Sequence, residues 1–150
     1  MINEKIEKYI NDDTSSIVTP VSNISMVFEE NNLAHAMLIL KESNYTQIPV
    51  LNYDKKFTGL ISFHHIYKKL GEKLFDNFDN FDNYYVKDFI DTHNAIVKED
   101  FKLEDVLNLL INYNFINVVS DDGKLVGMIT RSSVLKKMNH LSHNIDKILY

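Results

Sequence analysis

The chain has 150 residues, 45% of them apolar and 25% charged, which suits one globular domain with a sizeable core. No apolar run approaches the roughly 18–20 residues of a membrane span, and Met1–Ile10 mixes charged with apolar residues where a signal peptide has an apolar core, so neither membrane insertion nor secretion is expected. The absence of cysteine excludes disulfides, thiol catalysis and cysteine-ligated zinc and fits a reducing, cytoplasmic setting, while a net charge of −5 is the wrong sign for gripping a nucleic-acid backbone.

Glu4 to Ile10 reads as a short amphipathic helix. Asp12 to Asn23 is turn-rich, and Pro20 ends any helix begun near Ser15. Met26–Glu29 is a brief strand candidate. Leu33, Ala36, Met37 and Leu40 follow the i, i+3, i+4, i+7 rule and predict a helix over Leu33–Ser43, with Asn31 or Asn32 placed to cap it. Gln47–Leu51 is an apolar strand with its proline near the start, Asn52–Lys56 a turn, Phe57–Ser62 the returning strand, and His64–Leu74 a helix. Phe75–Asn83 repeats phenylalanine, aspartate and asparagine; a linker with surface-pinned phenylalanines is expected, since a calcium loop of the EF-hand kind lacks its glycine and terminal glutamate. Val86–Ile90 follows as a helical turn, Ala95–Val97 as a strand and Lys102–Tyr113 as a helix that Asp100 could cap. Phe115–Val119 and Lys124–Thr130 form a hairpin across Asp121-Asp122-Gly123, and Ser132–His140 closes the order as a helix.

These elements say nearly the same thing twice. Leu33, Ala36, Met37 and Leu40 return as Leu103, Val106, Leu107 and Leu110, 70 positions on. Gly59-Leu60-Ile61-Ser62 returns as Gly127-Met128-Ile129-Thr130, 68 positions on, because the second copy has a turn two residues shorter. Repetition of this kind marks a duplicated architecture, and two copies of this size are expected to pack about a pseudo-twofold axis with clefts between them.

A β-α-β-β-α unit given twice, with Ile48-Pro49-Val50-Leu51-Asn52 after the first helix-to-strand turn and Gly127-Met128-Ile129-Thr130 matching a Gly-x-x-Thr signature, resembles the cystathionine-β-synthase (CBS) domain family. The resemblance covers about Ile17 to Leu141. It implies an α/β (α+β) fold in which two CBS repeats, residues 1–84 with the N-terminal helix and linker and residues 85–150 with the C-terminal tail, form one Bateman module. Asn31-Asn32-Leu33-Ala34-His35-Ala36 and Tyr45-Thr46-Gln47-Ile48-Pro49-Val50-Leu51 are similar to segments of the small stand-alone CBS proteins of Gram-positive bacteria that bind cyclic di-AMP (the CbpB/DarB type).

In CBS pairs a cleft is lined by the chain entering the first strand, the helix-to-strand turn, and the Thr-containing strand end of the other copy. The resemblance therefore implies a ligand site of Asn23, Ile24, Ser25, Tyr45, Thr46, Ile48 and Pro49 with Thr130, Arg131 and Ser132. Ile24, Ile48 and Pro49 offer apolar faces to a base, though Ile48 and Pro49 would be core residues in any case, and Tyr45 can stack or donate its hydroxyl to a phosphate. Arg131 is the only arginine beside 15 lysines and stands where the last helix begins; a guanidinium can clamp a phosphate with two parallel bonds, and a helix N-terminus favours an anion.

CBS domains that bind AMP or ATP often carry an aspartate for the ribose diol three residues after the Thr, where this chain has His65 and Ser133. A 3′,5′-cyclic dinucleotide has no free diol there, and a carboxylate beside two phosphodiesters would be repulsive. The loss fits cyclic di-AMP, and equally a site that binds nothing; Ser132 stands where relatives can have a second basic residue. The opposite cleft, lined by Asn94, Ala95, Ile116 and Asn117 with Ser62, Phe63, His64 and His65, has Phe63 at the place of Arg131 and is expected to be empty.

Catalysis has no visible support. There is no Gly-rich phosphate loop, nucleophile elbow or His-Glu-x-x-His helix, and His64-His65 and His140/His143 lack a third metal ligand. The expectation is a non-enzymatic cytoplasmic receptor without cofactor or metal, forming a homodimer as is usual in the family. The resemblance implies that its free form binds a target such as a (p)ppGpp synthetase/hydrolase or pyruvate carboxylase. The alternatives are an AMP-, ADP- or ATP-binding energy sensor and a ligand-free protein–protein adaptor.

Overall fold

The structure, a computed structural model, describes residues 1–11, 17–71 and 78–150. In chain order the elements are α1 (Glu4–Ile10), β1 (Val18–Pro20), β2 (Val27–Phe28), α2 (Leu33–Glu42), β3 (Gln47–Leu51), β4 (Phe57–Ser62), α3 (Phe63–Leu70), β5 (Ile96–Lys98), α4 (Leu103–Asn112), β6 (Phe115–Val119), β7 (Leu125–Thr130), α5 (Arg131–His143) and α6 (Ile145–Leu149). Short 3₁₀ helices occupy Val21–Asn23, Phe78–Asn83 and Val86–Phe89. The chain divides into two compact units, one of Ile24–Asn94 with Asp122–Leu125, the other of Met1–Asn23, Ala95–Asp121 and Val126–Tyr150.

The first unit holds a sheet ordered β2-β3-β4, with β2 parallel and β4 antiparallel to β3. Leu33, Ala36 and Leu40 bury one face of α2 among Val27, Ile48, Val50, Ile61 and Ile66, as their spacing predicts. Asn32, rather than Asn31, caps α2: its Oδ1 accepts the His35 N–H at 2.8 Å. Pro49 lies in the middle of the central strand, not near its start, and two observations explain why that is tolerated. Its partner Leu60 spends both main-chain groups on Asp91 (2.9 and 2.8 Å), so Pro49 faces β4 in a non-hydrogen-bonded pair. On its other side, pairing with β2 begins only at Val27 and Val50. Ser62 caps α3, which ends at Leu70 before Gly71 (φ +53°); the rest of the helix expected to Leu74 lies outside the described residues. The same holds for Phe75–Asn77 of the expected linker, whereas Phe81 packs on the first unit's core.

The second unit holds a sheet ordered β1-β7-β6-β5. β1 was not predicted, because three residues ending in proline have no local strand signal; pairing with Gly127–Ile129 of β7 creates it. α4 is capped at Lys102 without a side-chain bond, so Asp100 does not cap it, and α5 begins one residue earlier than expected and runs on to His143. Ile10 and Ile17 join Leu103, Val106, Ile116, Ile129 and Val134 in this unit's core.

The duplication extends to two details. A Cβ on Gly127 would fall 2.6 Å from Val18 Cγ1 and against the Thr19 carbonyl oxygen; one on Gly59 would fall 2.7 Å from the Asp91 carbonyl oxygen and against Ile90 Cγ2. The glycine of each Gly-x-x-Thr/Ser segment thus admits the close passage of another stretch of chain, β1 at Gly127 and the isolated bridge residue Asp91 at Gly59. Lys137 donates from Nζ to the carbonyls of Tyr9 (3.2 Å) and Ile10 (2.5 Å) at the end of α1, and Lys69, its counterpart in the first copy, donates to the Asp88 carbonyl at 2.6 Å. α5 and α3 thereby each hold the end of a helical segment, α1 and the 3₁₀ turn Val86–Phe89 respectively.

Candidate functional site

The candidate ligand residues fall into two groups, one in each unit. In the first unit, Ile24 is buried and Ser25 exposed just ahead of β2, while Ile48 and Pro49 are buried in β3. β2 runs parallel to β3 from Val27 and Val50 onward, so the chain entering β2 and the turn entering β3 approach the sheet from the same end. Tyr45 is 37% exposed and Thr46 is exposed in that turn, whose Tyr45 N–H donates to Ser43 Oγ at 3.0 Å. Ile48 is 0% exposed, so its side chain serves the core rather than a ligand. Together this unit presents an aromatic ring, a hydroxyl and strand-end backbone groups, which is the chemistry that holds a flat heterocycle.

Asn23, Thr130, Arg131 and Ser132 belong to the second unit, where Asn23 ends a 3₁₀ turn and is exposed. Thr130 caps α5: its Oγ1 accepts the Ser133 N–H at 3.1 Å and lies 2.8 Å from Ser133 Oγ. Ser132 is exposed in the first turn. Arg131 has found partners within its own unit. Its Nε–H donates to the Leu110 carbonyl (2.7 Å), Nη2 to the Ile111 carbonyl (3.0 Å) and Nη1 to Asn114 Oδ1 (3.0 Å). Leu110 and Ile111 lie in the last turn of α4, where carbonyls lack helical partners and the helix dipole is negative. A guanidinium carries five N–H groups, so these three bonds leave one on each terminal nitrogen.

Asn114 is the participant that sequence reasoning missed. It holds Arg131 twice, because its main-chain carbonyl also accepts the Arg131 N–H at 3.1 Å. The available signal was the repeat itself: Asn114 stands 68 positions after Thr46, already a candidate in the first copy.

The residues expected along the opposite cleft have other work. Ser62 caps α3, Ile116 is core, and the Asn117 Nδ2 donates to the Ala95 carbonyl at 3.3 Å. Among the described residues three buried side-chain atoms lack a partner, His65 Nε2, Asn94 Oδ1 and Asn117 Oδ1, and all three belong to this group. Such atoms suit ordered water, and Phe63 supplies no charge for a phosphate. His140 is engaged with the Tyr9 hydroxyl, and among the described residues no group of three acidic or histidine side chains could hold a metal ion. No helix of the described residues is long and apolar enough to cross a membrane.

The CBS-domain family model matches residues 15–72 and 86–140. The chain is 25% identical over 147 residues to the cyclic di-AMP receptor B of Bacillus subtilis, covering 98% of this chain and 100% of that protein. The solved structure of CbpB from Listeria monocytogenes in complex with cyclic di-AMP is 32% identical with a TM-score of 0.76, covering 84% of this chain and 94% of that one. CbpB from Streptococcus agalactiae shares the fold at a TM-score of 0.86 over 97% of this chain and 92% of its own, with 23% identity.

Proposed function

The chain belongs to the CBS-domain family, and on that premise we propose that it is a non-enzymatic receptor for cyclic di-AMP, bound by Asn23, Ile24, Ser25, Tyr45, Thr46, Ile48 and Pro49 from the first copy with Thr130, Arg131 and Ser132 from the second. The observation that carries the reading is Arg131: the chain's only guanidinium, fixed at the start of α5 with one N–H on each terminal nitrogen outside its three internal bonds. Two such donors match the two non-bridging oxygens of a phosphodiester. The kinship with a cyclic di-AMP receptor and with a CbpB solved in complex with that nucleotide supports the same choice.

With no effector activity of its own, such a receptor acts through another protein, and ligand and partner must then prefer different states of it. A homodimer is part of the reading. Ile111 (70% exposed) and Leu135 (64%) flank an apolar groove between α4 and α5, and Leu38 and Phe63 flank its counterpart between α2 and α3; faces of this kind are normally covered. Displacement of labelled cyclic di-AMP by unlabelled cyclic di-AMP, AMP and ATP tests the ligand. The unlabelled dinucleotide should compete far more strongly than either mononucleotide. Equal or better competition by AMP or ATP makes the protein an energy sensor, and no binding of label leaves the adaptor alternative.

A further inference from the structure

From the three bonds of Arg131 we infer that Asn114 is a positioning residue for the nucleotide: its side chain, with the end carbonyls of α4, fixes the guanidinium so that a phosphodiester meets a preset pair of donors. The inference rests on the receptor reading above and extends it to a residue outside the ligand set. A free arginine side chain samples many rotamers, a freedom that a ligand must quench on binding. Here the Leu110 and Ile111 carbonyls hold Nε and Nη2, and Asn114 Oδ1 holds Nη1 at 3.0 Å. The Asn114 carbonyl also anchors the Arg131 main chain at 3.1 Å, so one residue sets both ends of the side chain. The acceptors leave the guanidinium its charge: carbonyl and amide oxygens orient it, where a carboxylate would neutralise it and repel the phosphate.

Asn114→Ala removes the Oδ1 acceptor and keeps the main-chain bond, which makes it a clean perturbation. The test is a double-mutant cycle by calorimetry with cyclic di-AMP on the full chain, using Arg131→Lys as the second background because it keeps a cation without the planar fork. Asn114→Ala should weaken binding about fivefold in the parent and less than twofold beside Lys, with little change in melting temperature. The sole arginine also gives a single guanidinium Nε–H resonance in a ¹⁵N-labelled sample. That signal should move on ligand addition in the parent, and Asn114→Ala should speed exchange of the Nη protons while Nε–H stays protected. Equal losses in both backgrounds, or unaltered affinity in Asn114→Ala, would overturn the positioning role and leave the receptor reading standing. Failure of the parent chain to bind cyclic di-AMP would overturn both.

Discussion

Gly127→Ala is the sharpest test of how the second unit is built. The new methyl would sit 2.6 Å from Val18 Cγ1 and against the Thr19 carbonyl oxygen, where ordinary contact needs about 3.5–4 Å. Val18 can turn aside, but the Thr19 carbonyl is main chain, so β1 must retreat by roughly an ångström from a close-packed neighbour. Overpacking of that kind costs about 1–3 kcal/mol, and loosening the ladder that pairs Val18 with Ile129, Thr19 with Met128 and Pro20 with Gly127 adds about 1 kcal/mol per bond lost. A total near 3 kcal/mol should lower the melting temperature by about 6–12 °C for a chain of this size. Thermal unfolding by circular dichroism measures it. Val18→Ala in the same chain should restore little, because the main-chain obstacle remains. A Gly127→Ala protein melting within a degree or two of the parent, or full rescue by Val18→Ala, would refute the close passage of β1.

Arg131→Ala should reduce cyclic di-AMP affinity at least tenfold by calorimetry, and should also lower stability by about 1 kcal/mol, because three partly exposed bonds to α4 and Asn114 go with it. Lys137→Met keeps bulk but removes the donors to Tyr9 and Ile10; amide hydrogen exchange over Glu4–Ile10 should rise by an order of magnitude or more as α1 loosens, and unchanged protection there would show that Lys137 does not hold the helix. Ile111→Lys should shift light-scattering mass from dimer to monomer while leaving the circular dichroism spectrum intact; a persistent dimer would place the interface elsewhere.

Much of the fold was legible because its signals are local. The apolar spacing of Leu33 to Leu40 and its return at Leu103 to Leu110 gave α2 and α4, and Asp122-Gly123 gave the hairpin turn, where Gly123 takes φ +86°. What escaped was set by partners distant in sequence. β1 exists only because β7 lies beside it, and Asp100 does not cap α4. The candidate site divides in the same way. Arg131 could be singled out as the lone arginine at a helix start, but its internal partners could not be foreseen, since two are main-chain carbonyls of α4 and the third is Asn114, 17 residues away. Ile48 shows the converse: the motif that marks it is a strand motif, and its side chain serves the core.

The most direct test of the receptor account is isothermal titration of the unaltered protein with cyclic di-AMP, with AMP and ATP run on the same preparation. The account predicts saturable, selective binding of one cyclic di-AMP per chain, with little heat from either mononucleotide. Tighter binding of AMP or ATP, or no heat and no change in melting temperature with any of the three, would contradict it.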